Sequence, residues 1–408
     1  MTSAPDDTKS SADNWPANAP LDAWSKFAES DAEAGFIISE NFRRYEQRDD
    51  VFNRAWWDEA VMSDDVVAFY AAHQRPEPRK GAGYTQWDFA LLNASWSVAR
   101  DYAARGMPDG RREGFLDSFD TFVPQAETRA DLPPIAETTA RIKQVAEFLG
   151  ADLFGVTEYD ERWVYAHAAE ISSKTREEKE NVSMDGMTNV IVLGHQMDRK
   201  LVETYPSALA AAATGREYSH EAAIVTSMAS FIHGLGYRAI ATTNDTALTI
   251  PYAIKAGMGE YGRNQLIITP QYGPRVRFSK IFTDLPLAHN KPIKFGAHET
   301  CSICDKCANA CPPKALPKGP PREGGENRSA ILGVTKWTSN AEKCFGYWTK
   351  LKADCAICMR VCPYNKDYSK WTMRLFQKLL GTGLRRWMLK LDDALGYGKR
   401  VLPLDWWN

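Results

Sequence analysis

Eight cysteines are the residues best equipped for chemistry, and all of them lie between Cys301 and Cys362. They form two runs, Cys301-x2-Cys304-x2-Cys307-x3-Cys311-Pro312 and Cys344-x10-Cys355-x2-Cys358-x3-Cys362-Pro363. The first run has the spacing that holds a [4Fe–4S] cluster in two-cluster ferredoxins, where the fourth cysteine of a run ligates the other cluster. By that rule Cys301, Cys304 and Cys307 take Cys362, while Cys355 and Cys358 take Cys311. Cys344, displaced upstream by an insertion, completes the second cluster. Disulfide frameworks belong to small secreted domains, whereas this chain has 408 residues. Structural zinc pairs Cys-x2-Cys ribbons without needing the repeated Cys-Pro rhythm.

Clusters only store and pass electrons, so the other elements must supply a reaction site. An electron-transfer module needs about 60 to 100 residues by ordinary domain sizes, and 300 residues precede Cys301. No G-x-G-x-x-G follows a strand and no Walker motif occurs, so neither a Rossmann nucleotide site nor an ATP-driven reductase is supported. No Asp-x-His-x-x-Gly signals a corrinoid held by a protein histidine.

The composition, with 44% hydrophobic and 25% charged residues, is that of a globular chain of two or three domains. A net charge of −2 gives no electrostatic footprint for nucleic acid. No apolar run reaches the length of a membrane span. The start, rich in Ser, Asp, Pro and Ala, reads as disordered through residue 22 and lacks the pattern of a secretory signal. Arg43-Arg44 is a twin arginine by letter only, since no apolar segment follows it. Thiols reserved for iron suit the cytoplasm, or the periplasm and an anchor subunit if a twin-arginine leader has been removed.

From 23 to 134 the chain is aromatic-rich and irregular, and Trp56, Trp57, Trp87 and Trp96 are expected in core packing. After Pro133-Pro134 an α/β texture begins. Strands are expected at Ala151–Val156, Asn189–Met197, Tyr237–Thr242, Gln265–Thr269 and Val276–Phe282. Helices are expected from Glu217 to about Leu235 and over Thr246–Ala256. Lys366–Arg400 carries nine Lys/Arg and three Asp. Its helical stripe of Trp371, Leu375, Leu379 and Trp387 is expected to pack on the body, with a docking surface for an acidic donor as the alternative.

The most informative string is Ile250–Asn264 (IPYAIKAGMGEYGRN), continuing through Ile268–Arg277 (ITPQYGPRVR). Singly, Gly257, Gly259 and Gly262 read as turn formers. Together with the cysteine pattern, the string resembles the corrinoid-dependent reductive dehalogenases and, more distantly, the epoxyqueuosine reductases. The resemblance covers Ala151 to Pro363, with looser similarity over Phe42–Asp58. It implies an α/β (α+β) fold: a nitroreductase-like cobalamin-binding domain over 135–290 and a ferredoxin-like double-cluster domain over 291–366. A helical extension at 367–408 follows.

The resemblance also implies site residues. Gly215-Arg-Glu-Tyr-Ser219 matches the segment with the proton-donating tyrosine, hence Tyr218. Thr243-Asn244-Asp245 matches a pocket loop, hence Asn244. Val276–Ile281 matches the segment carrying a neighbouring cation, taken as Lys280, with Arg277 as the alternative because strand alternation puts the two on opposite sides. Gly257, Gly259, Arg263, Asn264 and Arg277 are the expected contacts to base-off cobalamin. The implied reaction replaces carbon–halogen with carbon–hydrogen in a small organohalide, using cob(I)alamin, two clusters and a separate ferredoxin or flavodoxin as donor. The adjacent cation is expected to ease proton release from the tyrosine. An epoxyqueuosine reductase predicts a basic, tRNA-holding surface, and a non-catalytic electron-transfer protein is the rival from another class.

Overall fold

The computed structural model describes residues 26–105, 114–119, 121 and 123–408. The start expected to be disordered lies outside the described residues. In the aromatic-rich front region α1 (Asp64–Ala72), α2 (Gln86–Ser95) and α3 (Ser97–Ala103) are the main helices. Ser63 and Thr85 cap α1 and α2 by accepting backbone N–H groups with their side chains. Trp57 and Trp96 are half-buried, but Trp56 and Trp87 are exposed, against expectation. Trp87 instead meets Trp407 edge to face, with ring centroids 5.8 Å apart.

After α4 (Ile135–Phe148) come β1 (Leu153–Glu158), β2 (Asn189–Gln196), α5 (Ala208–Gly234), β3 (Ala239–Thr242), α6 (Thr249–Lys255) and β4 (Val276–Thr283). The sheet order is β1-β2-β4-β3, and every neighbouring pair is antiparallel. The near-continuous apolar run of β2 reflects cover on both faces. Ile191 and Leu193 pack with Val156 and Ile281 beneath α4 and α5. Val190 and Val192 pack with Phe278 and Phe282 beneath α6 and Trp163. The register from Val276↔Gln196 to Thr283↔Asn189 fixes which side chains of β4 face which layer.

Two expected elements changed. The helix anticipated from Glu217 begins at Ala208, capped by Ser207, whose hydroxyl accepts the Ala210 N–H at 2.9 Å. Its first turns are alanine-rich, so they carry little periodic contrast, yet they are buried against α2. Gly215 lets the helices approach closely, since a Cβ there would lie 2.3 Å from Ser95 Oγ. The strand expected at Gln265–Thr269 shortens to Ile267–Ile268, paired with Glu260–Tyr261.

The cysteine segment is helical and loop-rich, with α7 (Ala297–Ile303), α8 (Lys306–Ala310), α9 (Ala341–Leu351) and α10 (Ile357–Arg360). Two further helices, α11 (Trp371–Leu380) and α12 (Arg385–Ala394), pack beside Cys362 through Phe376, Leu380 and Met388. Of the stripe expected to pack inward, Leu379 does so, while Trp371 is 72%, Leu375 45% and Trp387 68% exposed. The break between the helices shifts the angular phase, so one stripe cannot run through both.

Candidate active site and cluster domain

Tyr218 lies in the middle of α5, not near its start, and is 9% exposed. Trp96 stacks on its ring with centroids 4.7 Å apart, and Phe115 meets it edge-on at 5.8 Å. The Arg277 guanidinium lies over the ring, 4.2 Å from the centroid, and also donates to the phenolic oxygen. The Asn244 side-chain amide donates to the same oxygen. The Asn244 backbone carbonyl accepts the Tyr165 hydroxyl at 3.0 Å. Helix α5, the loop after β3 and strand β4 thus converge on one hydroxyl.

Burial pushes Tyr218 up to about 12, although Arg277 and the Asn244 hydrogen bond pull the other way. The cation was expected to favour the ionised form, but desolvation wins, so the phenol rests protonated. That is the state a proton donor must start from.

Lys280 is not beside Tyr218. It is fully buried on the α6 side of the sheet, donating to the carbonyls of Thr243 at 2.6 Å and Asp245 at 3.1 Å and to Thr249 Oγ1 at 3.1 Å. Alternation along β4 decides this, since Arg277 and Lys280 differ by an odd number of residues. Burial lowers Lys280 to about 8, and Asp245 and Glu221 partly offset that. Its place is structural support of the Asn244 loop; Arg277 is the cation at the tyrosine.

Cys301, Cys304, Cys307 and Cys362 line one small cavity together with Arg263, Asn264 and Tyr364. Cys344 has Cys355 and Cys311 as electrostatic neighbours, and Cys358 has all three. Burial drives Cys301, Cys307 and Cys344 up to about 12 and Cys355 to about 11. Such thiols hold their protons unless a metal charge stabilises the thiolates.

Arg263, an expected cofactor contact, is committed to this domain. It is 1% exposed and donates to the carbonyls of Cys301, Cys304, Pro317 and Gly319 at 2.7–3.1 Å. Asn264 lines the same cavity and its Oδ1 accepts the Leu266 N–H at 3.3 Å. Gly257 ends α6 with φ of 74°, and a Cβ on Gly259 would lie 2.1 Å from the Ile268 carbonyl oxygen. Gly257 through Gly262 spells G-x-G-x-x-G, but after a helix and into a hairpin, so turn geometry accounts for Gly257 and close backbone packing for Gly259.

Sequence reasoning did not single out Glu221 or Asp354, and it assigned Trp96 to core packing rather than to the pocket. Asp354 directly precedes Cys355 and acts electrostatically on both Tyr218 and Arg277. Its side chain stands 3.4 Å from His73 Nε2. A helical spacing of Glu217, Tyr218 and Glu221 was available as a signal, since they share one side of α5.

Two family models match. Residues 176–287 match a model described as a reductive dehalogenase subunit, and residues 300–365 one described as a 4Fe-4S double cluster binding domain. A tetrachloroethene reductive dehalogenase of Desulfitobacterium hafniense is 34% identical over 415 residues, covering 84% of this chain and 74% of that protein. This chain belongs to the reductive dehalogenase family. The tetrachloroethene reductive dehalogenase of Sulfurospirillum multivorans is 33% identical over 297 residues, covering 67% of this chain and 59% of that protein. A solved structure described as suggesting a mechanism for B12-dependent dehalogenation shares the fold, with a TM-score of 0.68 and 22% identity. It covers 90% of this chain, which spans 48% of that one. The family membership carries with it the double-cluster domain that the cysteine spacing predicted. Among the described residues no helix is long and apolar enough to cross a membrane.

Proposed function

We propose that this protein is a reductive dehalogenase that replaces a carbon–halogen bond of a small organohalide with carbon–hydrogen, drawing electrons through its two [4Fe–4S] clusters. The observation that carries the reading is the hydroxyl of Tyr218, held jointly by Arg277 and Asn244. Asp354, next to Cys355 in the chain, acts electrostatically on that tyrosine. In this assignment 135–290 is the cofactor-holding unit and 291–366 the electron-transfer unit. Cys301, Cys304, Cys307 and Cys362 ligate one cluster, and Cys311, Cys344, Cys355 and Cys358 the other.

The proposed cofactor is cobalamin, in keeping with the B12 dependence described for the related structure. Arg277 Nε and Asp354 Oδ2 are buried with no hydrogen-bond partner among the described residues. Buried polar atoms without partners are costly, and those near a tyrosine poised for chemistry suit the amide edge of a corrinoid. Bound there, cobalamin supplies a strongly reducing centre for cleaving carbon–halogen bonds. The protein's own part is to orient the substrate, exclude water and deliver one proton from Tyr218 Oη to carbon. Arg277 then stabilises the phenolate left behind. Proton transfer from a placed acid contributes typically about 10²–10⁴-fold.

Electrons come from a separate acidic redox protein; Lys366 is buried against Asp392, and the other eight Lys/Arg of 366–400 are the charges that suit such a partner. The cytoplasm is the proposed compartment, being reducing enough for cluster thiols. The test is anaerobic purification with cobalamin supplied, metal analysis, and a substrate screen beginning with tetrachloroethene. About one cobalt and eight irons per chain, with halide release that Tyr218→Phe removes, is the expected result. Iron without cobalt would overturn the cobalamin reading.

A further inference from the structure

We propose that Glu221 is the proton relay that restores Tyr218 after each turnover, fed from an outer cleft through Glu217 and His220. The proposal rests on the reading of Tyr218 as the acid.

The geometry lies on one side of α5. Glu221 follows Tyr218 by three residues and Glu217 by four, so each pair is adjacent across one helical turn. Glu221 is fully buried and Glu217 is 1% exposed. Neither carboxyl oxygen of Glu221 has a hydrogen-bond partner among the described residues. A buried carboxyl with no hydrogen-bond partner weakens the fold, since it must stay protonated or find a charge. Packing does not explain Glu221.

The outer end reaches solvent. Glu217 Oε2 stands 3.4 Å from His220 Nδ1, and its Oε1 stands 3.3 Å from the Arg216 guanidinium. Arg216, Glu217 and His220 line a cleft of about 560 Å³ with Asp152, Gln196 and Arg275. The His220 side chain is 49% exposed there. At the inner end Glu221 acts electrostatically on Tyr218. The charged groups that act electrostatically on Glu221 are Arg277 from β4, Lys280 from the far face of the same strand, Glu217 on its own helix, and Asp245 from the loop after β3.

The proton balance closes. The phenol proton of Tyr218 goes to the substrate carbon, leaving a phenolate beside Arg277. Glu221 then gives its carboxyl proton to that phenolate and becomes a carboxylate. Glu217 and His220 return a proton to it from the cleft. Electrons enter only through the clusters and take no part in the relay. Burial raises both groups, Glu221 to about 8 and Tyr218 to about 12, so the phenolate is the stronger base of the two and the transfer runs downhill.

The deciding experiment compares a single turnover with steady state in the iron- and cobalamin-loaded enzyme. In Glu221→Gln, Tyr218 starts protonated, so the first turnover keeps the wild-type rate. Steady-state kcat then falls by about 10²-fold at unchanged KM, and Glu221→Asp recovers part of it. Infrared spectra give an independent readout: wild type at pH 7 shows a protonated buried carboxyl band that Glu221→Gln lacks. If Glu221→Gln does not fold, His220→Gln tests the outer end, with slowed steady state rescued by added imidazole. Equal loss in first and later turnovers, or an absent carboxyl band, would overturn the relay while leaving Tyr218 in place. A full first-turnover rate in Tyr218→Phe would instead remove the reading on which the relay rests.

Discussion

Burial acts on the cysteine domain and on the tyrosine pocket in the same direction, with opposite consequences. In both, desolvation makes the protonated form the stable one, near 12 for Tyr218 and for Cys301, Cys307 and Cys344. Proton donation uses that protonated form directly. Metal ligation requires its loss, so the thiols depend on iron charge to become ligands. Arg277 and Asn244 complete the hydroxyl site with protein groups alone. The cysteine domain is complete only with its clusters.

The comparison breaks most visibly if one thiol is removed. Cys358→Ser is expected to lower iron from about eight to about four per chain and to abolish electron delivery, measured by iron analysis and halide release. Tyr218→Phe keeps both clusters and the stacking on Trp96, yet should lower turnover by about 10²–10⁴-fold. Retained iron with lost turnover would separate the two regions cleanly. Arg277→Lys keeps a charge but loses the planar fork that both covers the ring and donates to Oη. A charge-assisted hydrogen bond is worth about 1.5–3 kcal/mol, so about 10- to 10²-fold in rate is expected.

Lys280→Met sharpens the contrast from the other face of the sheet. It leaves the carbonyls of Thr243 and Asp245 without their donor, and a cost of about 1–3 kcal/mol should appear in denaturant melts. A further contrast concerns pH. Glu221 is raised to about 8 in the folded chain, above an unfolded value near ~4.3. The native state therefore binds the extra proton, and wild-type stability falls as pH rises through that window. Glu221→Gln should flatten this slope in thermal melts across pH 5 to 9.

The cysteine pattern was legible because cluster ligation is largely a local constraint: seven of the eight thiols sit within two short runs, and only Cys344 stands apart. The strands β2 and β4 were legible as apolar runs. Their antiparallel pairing was not, because cover on both faces produces the same run in either direction. The first turns of α5 escaped because alanine gives weak contrast. The stripe of Trp371 and Trp387 was read as one face although Gly381 and Gly383 mark the break between α11 and α12.

By itself the sequence determined which thiols share a cluster domain and where the α/β layer begins, since spacing along a chain sets what a short turn or strand can do. Tertiary structure decided which cation meets the tyrosine. Tyr218 lies 59 positions from Arg277 and 26 from Asn244, distances at which only strand register and helix rotation choose partners. Register turns Arg277 towards α5 and Lys280 towards α6, and helix rotation aims Tyr218 and Glu221 into the same layer. Those choices minimise the free energy of the whole packed sheet rather than of any segment.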